Sequence, residues 1–257
     1  MSKEALQFQE VSFAYGIEGK QVVSMLDSLD FTVHQGEFIS IIGASGSGKT
    51  TLFKLITGLE QPNSGRLLLD GEEKENRLGH IGYMPQQDLL MPWRTILANA
   101  ALPLEIKGVK RREAHKRVLQ LLEEFGLKGT EAKYPGDLSG GMKQRVSFLR
   151  TILSGANVLL LDEPFSALDA ITRLTMQEWL LEQWAKWQNT ILFITHDVDE
   201  ALFLSDRVFV LTETPIRKLK EVVVPIKRPR SIRDMNKAEI VELKAQLIQE
   251  LRQKVQS

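Results

Sequence analysis

Two short stretches hold residue types suited to phosphate chemistry. Gly43-Ala44-Ser45-Gly46-Ser47-Gly48-Lys49-Thr50 follows the pattern G-x-x-x-x-G-K-[ST]. Its glycines let successive backbone N–H groups turn inward around phosphate oxygens, Lys49 supplies a cation for the β and γ phosphates, and the Thr50 hydroxyl is a Mg²⁺ ligand. Thr51 follows at the start of the same helix. The second stretch, Val158-Leu159-Leu160-Leu161-Asp162-Glu163, is an apolar run that ends in two acids. A carboxylate at the end of a buried strand in an α/β sheet points into the ligand crevice, which suits Asp162 to hold Mg²⁺ and Glu163 to polarise an attacking water. Together the stretches predict a site for a nucleoside triphosphate, ATP or GTP, with Mg²⁺.

The flanking patterns supply the elements such a site needs. Phe38 to Ile42 is a buried-strand run ahead of the glycine loop, and Lys49 to about Leu59 is helix-competent, so strand, loop and helix open an α/β unit with a parallel sheet. Leu6, Phe8, Val11 and Phe13 alternate as in a strand, Gly16 to Gly19 read as a turn, and Phe31 to Val33 as a short strand. From about Leu89 to Leu153 the pattern becomes helical, with Val118, Leu121, Leu122 and Phe125 on one stripe. Strands return at Val158 to Leu161, Thr190 to Ile194 and Arg207 to Leu211. The expectation is an α/β core interrupted by a helical insertion, followed by a tail from about Pro215.

Composition narrows the function classes. The chain has 257 residues with 33 Lys plus Arg against 33 Asp plus Glu, so it lacks the basic excess expected for coating nucleic acid or anionic lipid. With 43% hydrophobic and 26% charged residues it is of globular composition. The absence of cysteine excludes thiolate metal sites, Fe–S clusters and cysteine nucleophiles. No apolar run approaches the ~18 residues of a membrane span, and the first residues lack a secretory signal pattern.

At Leu138-Ser139-Gly140-Gly141-Met142-Lys143-Gln144-Arg145 the chain resembles the signature of the ATP-binding cassette family. Other marks follow in the family's order: Tyr15 where an aromatic stacks on adenine, Gln86 in the Q-loop, the strand end at Asp162-Glu163-Pro164, Ser166-Ala167-Leu168-Asp169 as the D-loop, and His196 after Ile194-Thr195. The resemblance spans residues 6 to 212. It implies a P-loop NTPase (RecA-like) α/β core with an inserted helical subdomain and an N-terminal antiparallel β subdomain, all within residues 1–214, the insertion at about 89–153. It further implies ATP and Mg²⁺ as cofactors, Thr50, Gln86 and Asp162 toward the metal, Glu163 as general base and His196 at the γ-phosphate. Ser139, Gly140 and Gly141 of one protomer would then cover the γ-phosphate held by the other, so that a homodimer sandwiches two ATP, with Asp169 at the dimer contact.

Met91-Pro92-Trp93-Arg94-Thr95 is similar to a run found in importers of nitrate, aliphatic sulfonates, taurine and pyrimidine-type vitamin precursors. Such a cassette works at the cytoplasmic face of the cell membrane on separate transmembrane permease subunits, fed indirectly by an extracytoplasmic solute-binding protein; no nucleic-acid partner is expected. The alternative, a repair or translation-associated cassette, would bring coiled-coil insertions, zinc cysteines or a second cassette. In the tail, residues 215–257, a strand near Val222 to Ile226 and a stiff basic link, Lys227 to Arg230, precede a helix from Lys237 to Val255. Its Ile240, Leu243, Leu247, Leu251 and Val255 share one face, expected to pack back onto the core. Trp179, Trp184 and Trp187 are expected to form a packing stripe.

Overall fold

A computed structural model describes residues 3–16 and 22–255, with side chains through Arg252. Most of the turn expected at Gly16 to Gly19 lies outside the described residues, as does the Val255 side chain. The elements run β1 (Glu4–Tyr15), β2 (Val23–His34), β3 (Phe38–Gly43), α1 (Lys49–Thr57), β4 (Ser64–Leu69), β5 (Glu72–Glu73), β6 (Ile81–Met84), α2 (Ile96–Ile106), α3 (Arg111–Leu122), α4 (Gly140–Leu153), β7 (Val158–Asp162), α5 (Ala170–Trp187), β8 (Thr190–Ile194), α6 (Val198–Leu204), β9 (Arg207–Leu211), β10 (Lys220–Val223) and α7 (Ala238–Val255). They fall into two compact units, one of Met1–Leu78 and Gln188–Ser257, the other of Gly79–Trp187.

The first unit holds an antiparallel sheet in the order β2-β1-β4-β5. Leu6, Phe8, Val11 and Phe13 are buried along β1, as their alternation predicts, and Phe8 stacks on Phe31 at 4.4 Å between centroids. The expected short strand at Phe31 to Val33 is the end of a twelve-residue strand, because β2 pairs along nearly all of β1 from Glu4↔His34 to Tyr15↔Val23. In the same unit β3 lies between β8 and β9, parallel to both, and β10 pairs antiparallel to β9. Phe38, Ile39, Ile41 and Ile42 of β3 are fully buried. Each such side chain is worth about 1.5–3 kcal/mol of burial, which is why a continuous apolar run marks a strand covered on both faces.

α7 closes this unit. Ile240 and Leu247 are buried, and Leu243 and Leu251 partly so, in one cluster with Val198, Ala201 and Leu202 of α6 and with Val224 and Ile226. The apolar face therefore packs onto its own core, as its spacing predicts. The tail strand sits slightly earlier than expected, at Lys220–Val223: the Val224 N–H still bonds the Asp206 carbonyl in register with the ladder, and Pro225 has no N–H to carry the pairing further.

In the second unit β6 and β7 pair in parallel, Tyr83 opposite Leu160 and Met84 opposite Leu161. Val118, Leu122 and Phe125 are buried, as expected from the α3 stripe. The expected tryptophan stripe holds for Trp179, buried against Phe125 and Phe148, and for the half-buried Trp184, but not for Trp187, which is exposed at the end of α5.

Candidate nucleotide site

The glycine loop joins β3 to α1 in the first unit. Gly48 caps α1 with φ of +96°, a left-handed conformation costly for any other residue, and a Cβ there would stand 3.0 Å from the Ile216 side chain. Among the described residues no side chain caps α1, so the Thr50 and Thr51 N–H groups of its first turn meet no capping side chain. Lys49 Nζ donates to the Gly43 and Ala44 carbonyls at 2.8 and 2.9 Å, which holds the ammonium over the loop. Ser45, Gly46 and Thr50 are exposed, and the buried Ser47 Oγ has no hydrogen-bond partner among the described residues. A loop at a helix N-terminus with a cation, open amides and an unsatisfied hydroxyl fits a polyphosphate.

Tyr15, at the end of β1, belongs to the same constellation. Its half-buried ring lies edge-on to Phe13, its hydroxyl is 3.4 Å from Thr51 Oγ1 on α1, and Lys54 lies 5.7 Å from its centroid. The ring thus stands beside the helix that the loop opens. His196, in the same unit, is exposed between β8 and α6. Its neighbours are fastened: the Thr195 hydroxyl accepts from the Asp197 N–H at 3.0 Å and bonds the Glu200 carboxylate, and Asp197 caps α6 by accepting from the N–H groups of Asp199 and Glu200.

The second unit holds Gln86, Asp162 and Glu163 and, separately, the helix start at Ser139–Gly141. Asp162 ends β7 in a buried position, and Glu163 follows with φ of +45°, a strained turn for a non-glycine residue. That turn is braced by Ser166, whose N–H and hydroxyl both donate to the Glu163 carbonyl. The Gln86 amide donates to Glu163 Oε2 at 3.2 Å. Ser139 caps α4, its Oγ accepting from the Met142 N–H at 3.4 Å, and Ser139 and Gly140 are exposed. Asp169 caps α5 through the N–H groups of Ile171 and Thr172, with Thr172 the main cause holding its carboxyl below the ordinary aspartate value. Within this unit Asp162 and the Gln86 carbonyl are hard oxygen donors of the type Mg²⁺ takes, as is the Thr50 hydroxyl in the first unit.

Three residues of this unit escape a reading by motif. The Tyr83 hydroxyl donates to Asp162 Oδ2 at 3.3 Å; burial first, then the Asp162 charge and hydrogen bond, raise the phenol above its usual range. Arg150 on α4 bonds the carbonyls of Asp88 and Leu89, tying the segment after Gln86 to the helix that begins at Ser139. Buried Asn99 on α2 reaches the carbonyls of Met91, Arg94 and Thr95, and so holds the segment that carries Trp93. The only sequence signal for these is a polar residue on an otherwise apolar face.

The described residues 26–166 match the family model described as ABC transporter. The chain belongs to the ABC transporter family. It is similar to the formylaminopyrimidine import ATP-binding protein ThiZ of Halalkalibacterium halodurans, 47% identical over 239 residues, 93% of this chain and 92% of that one. It is also similar to the aliphatic sulfonates import ATP-binding protein SsuB 1 of Rhodococcus jostii, 44% identical with 80% of each chain covered. The taurine import ATP-binding protein TauB of Rhizobium johnstonii is 40% identical over 82% of this chain and 81% of its own. Among solved structures the ABC cassette MJ0796, a dimer in a post-hydrolysis state bound to ADP and Pi, superposes with a TM-score of 0.73 at 28% identity, covering 86% of this chain and all of that one. The protein is accordingly an ABC transporter ATPase with the cassette fold, with an antiparallel N-terminal sheet and a mostly parallel core sheet.

Proposed function

We propose that the chain powers an importer for a small solute, as a homodimer that sandwiches two ATP and docks on transmembrane permease subunits at the cytoplasmic face of a membrane. Residues 1–214 form the cassette in this reading and 215–257 a tail. The relatives named as import proteins and the dimeric MJ0796 support it. No helix among the described residues is long and apolar enough to cross a membrane, and in this reading the translocation path lies in the permease subunits. For the solute we favour a pyrimidine-type precursor, the kind named for the relative at 47% identity, over a nitrate-, sulfonate- or taurine-like anion.

The observation that carries hydrolysis is the Gln86 amide on Glu163 Oε2, next in sequence to the buried Asp162. In this reading the amides of Gly43 to Thr51 and Lys49 bind the phosphates, and the Tyr15 ring lies against adenine. Thr50, Gln86 and Asp162 would hold Mg²⁺, which when bound would neutralise charge on the phosphate oxygens. Glu163 takes a proton from the attacking water, and His196 donates to the γ-phosphate. The Ser139–Gly141 helix start closes the site of the other protomer, two anion-binding helix ends converging on one nucleotide. The test is reconstitution with candidate permease subunits and a solute-binding protein from the same organism. ATP turnover is expected to rise with a formylaminopyrimidine and not with taurine or an alkanesulfonate; stimulation by the sulfonates alone would reassign the solute.

A further inference from the structure

The tail does more than cover apolar surface. α6 has seven residues, too few for a helix to persist without tertiary support, and it begins two residues after His196. Thr195 and Asp197, on either side of that histidine, are both bonded into the first turn of α6. Any shift of α6 along its axis therefore moves His196.

The far end of α6 is held by the basic link Lys227 to Arg230. Arg230 Nη1 donates to the carbonyls of Leu202 and Phe203, at 3.1 and 3.5 Å, and to that of Ser205. Arg228 Nη2 donates to the Leu204 carbonyl while its Nε bonds Asp206 at 2.6 Å. Asp206 in turn accepts from the Phe38 N–H at 2.9 Å on β3, so the strap is anchored to the central strand. Four consecutive carbonyls that helix geometry leaves unsatisfied are capped by two guanidinium groups, whose charge also suits the negative end of a helix. Ile240 and Leu247 of α7 press on Val198, Ala201 and Leu202 from the side.

We infer that Arg228 and Arg230 are positioning residues for His196, acting through α6, so that the tail sets the turnover rate of the cassette. This rests on the reading of His196 as the γ-phosphate contact. Lysine is a poor substitute, because one ammonium cannot span the several carbonyls that a planar guanidinium reaches.

The test uses the full-length chain carrying Arg228→Ala and Arg230→Ala together, with and without His196→Ala. Hydrogen exchange across residues 198–205 is expected to quicken in the arginine variant. Its kcat is expected to fall by about tenfold with KM and ATP affinity within twofold, the pattern of a group lost from the transition state alone. On the His196→Ala background the same substitutions should cost nothing further, and Arg230→Lys should restore only part of the rate. An equal loss on both backgrounds, or unchanged kcat despite faster exchange, would overturn the inference while leaving the ATPase reading intact. A wild-type rate unaffected by His196→Ala would overturn the reading of that residue and the inference with it.

Discussion

Gln86 donates its side-chain amide to Glu163 Oε2 at 3.2 Å, linking the loop after β6 to the turn after β7. The carboxylate that would accept a proton from water is thereby oriented by a residue on a loop that continues into the Trp93 segment. Trp93 is 75% exposed, a large apolar ring presented to whatever docks there.

Glu163→Gln keeps the size of the side chain and removes the base. ATP binding is expected within about threefold of wild type, and phosphate release to fall by at least ~10²-fold, the usual worth of a general base. ATP should then hold the chain as a dimer on size exclusion. Undiminished turnover would remove Glu163 from the role.

Lys49→Ala removes the cation bonded to the Gly43 and Ala44 carbonyls. Losing a charge-assisted contact to phosphate is expected to weaken nucleotide binding by about 10–100-fold, read by titration with a fluorescent ATP analogue.

Mixing Lys49→Ala chains with Ser139→Arg chains tests whether sites form between protomers. Each homodimer should be inactive, while the mixed dimer retains one intact pair of surfaces and a fraction of the turnover. Inactivity at every mixing ratio would count against sites in trans.

Tyr83→Phe removes the donor on Asp162 Oδ2. Partners that orient a metal ligand typically matter about 10–100-fold in metal affinity, so the Mg²⁺ needed for half-maximal turnover is expected to rise. The same residue predicts a pH effect. Its folded-state pKa is raised, so the neutral phenol stabilises the fold fully below about pH 10, the unfolded value, and that contribution is lost as pH climbs beyond it. Melting temperatures followed from neutral into alkaline solution should decline less steeply for Tyr83→Phe.

Leu247→Ala is expected to cost about 2–4 kcal/mol in urea unfolding, the range for a fully buried leucine. Val241 lies on the same helix but is 52% exposed, and Val241→Ala should stay within about 0.5 kcal/mol. Equal effects would mean that α7 does not pack as described.

Much of this was legible in one dimension because the loop chemistry is local. A phosphate loop needs glycines, a lysine and a threonine at fixed spacing within eight residues, and the buried strand runs Phe38 to Ile42, broken only by Ser40, and Val158 to Leu161 announce themselves by their apolarity. Strands β4 and β6 did not. The first carries its apolar residues only at its end, and the second is four residues with a glycine inside. Trp187 misled because helical spacing continues to the last residue of α5, where the side chain is exposed, unlike the buried Trp179.

The sequence by itself determined the family, the phosphate loop, the acidic strand end and the amphipathic face of the tail, since each rests on residue types at short, fixed separations. Only the tertiary structure decided that Tyr83 reaches Asp162, that Arg150 ties the segment after Gln86 to α4, and that Arg228 and Arg230 cap α6 instead of lying in water. Those partners are from 24 to 79 residues apart in the chain for three of these contacts, separations across which hydrophobic period and local propensity carry no information about which polar groups meet. A buried carbonyl or carboxylate must find a donor, and the folded packing alone determines which one lies within reach.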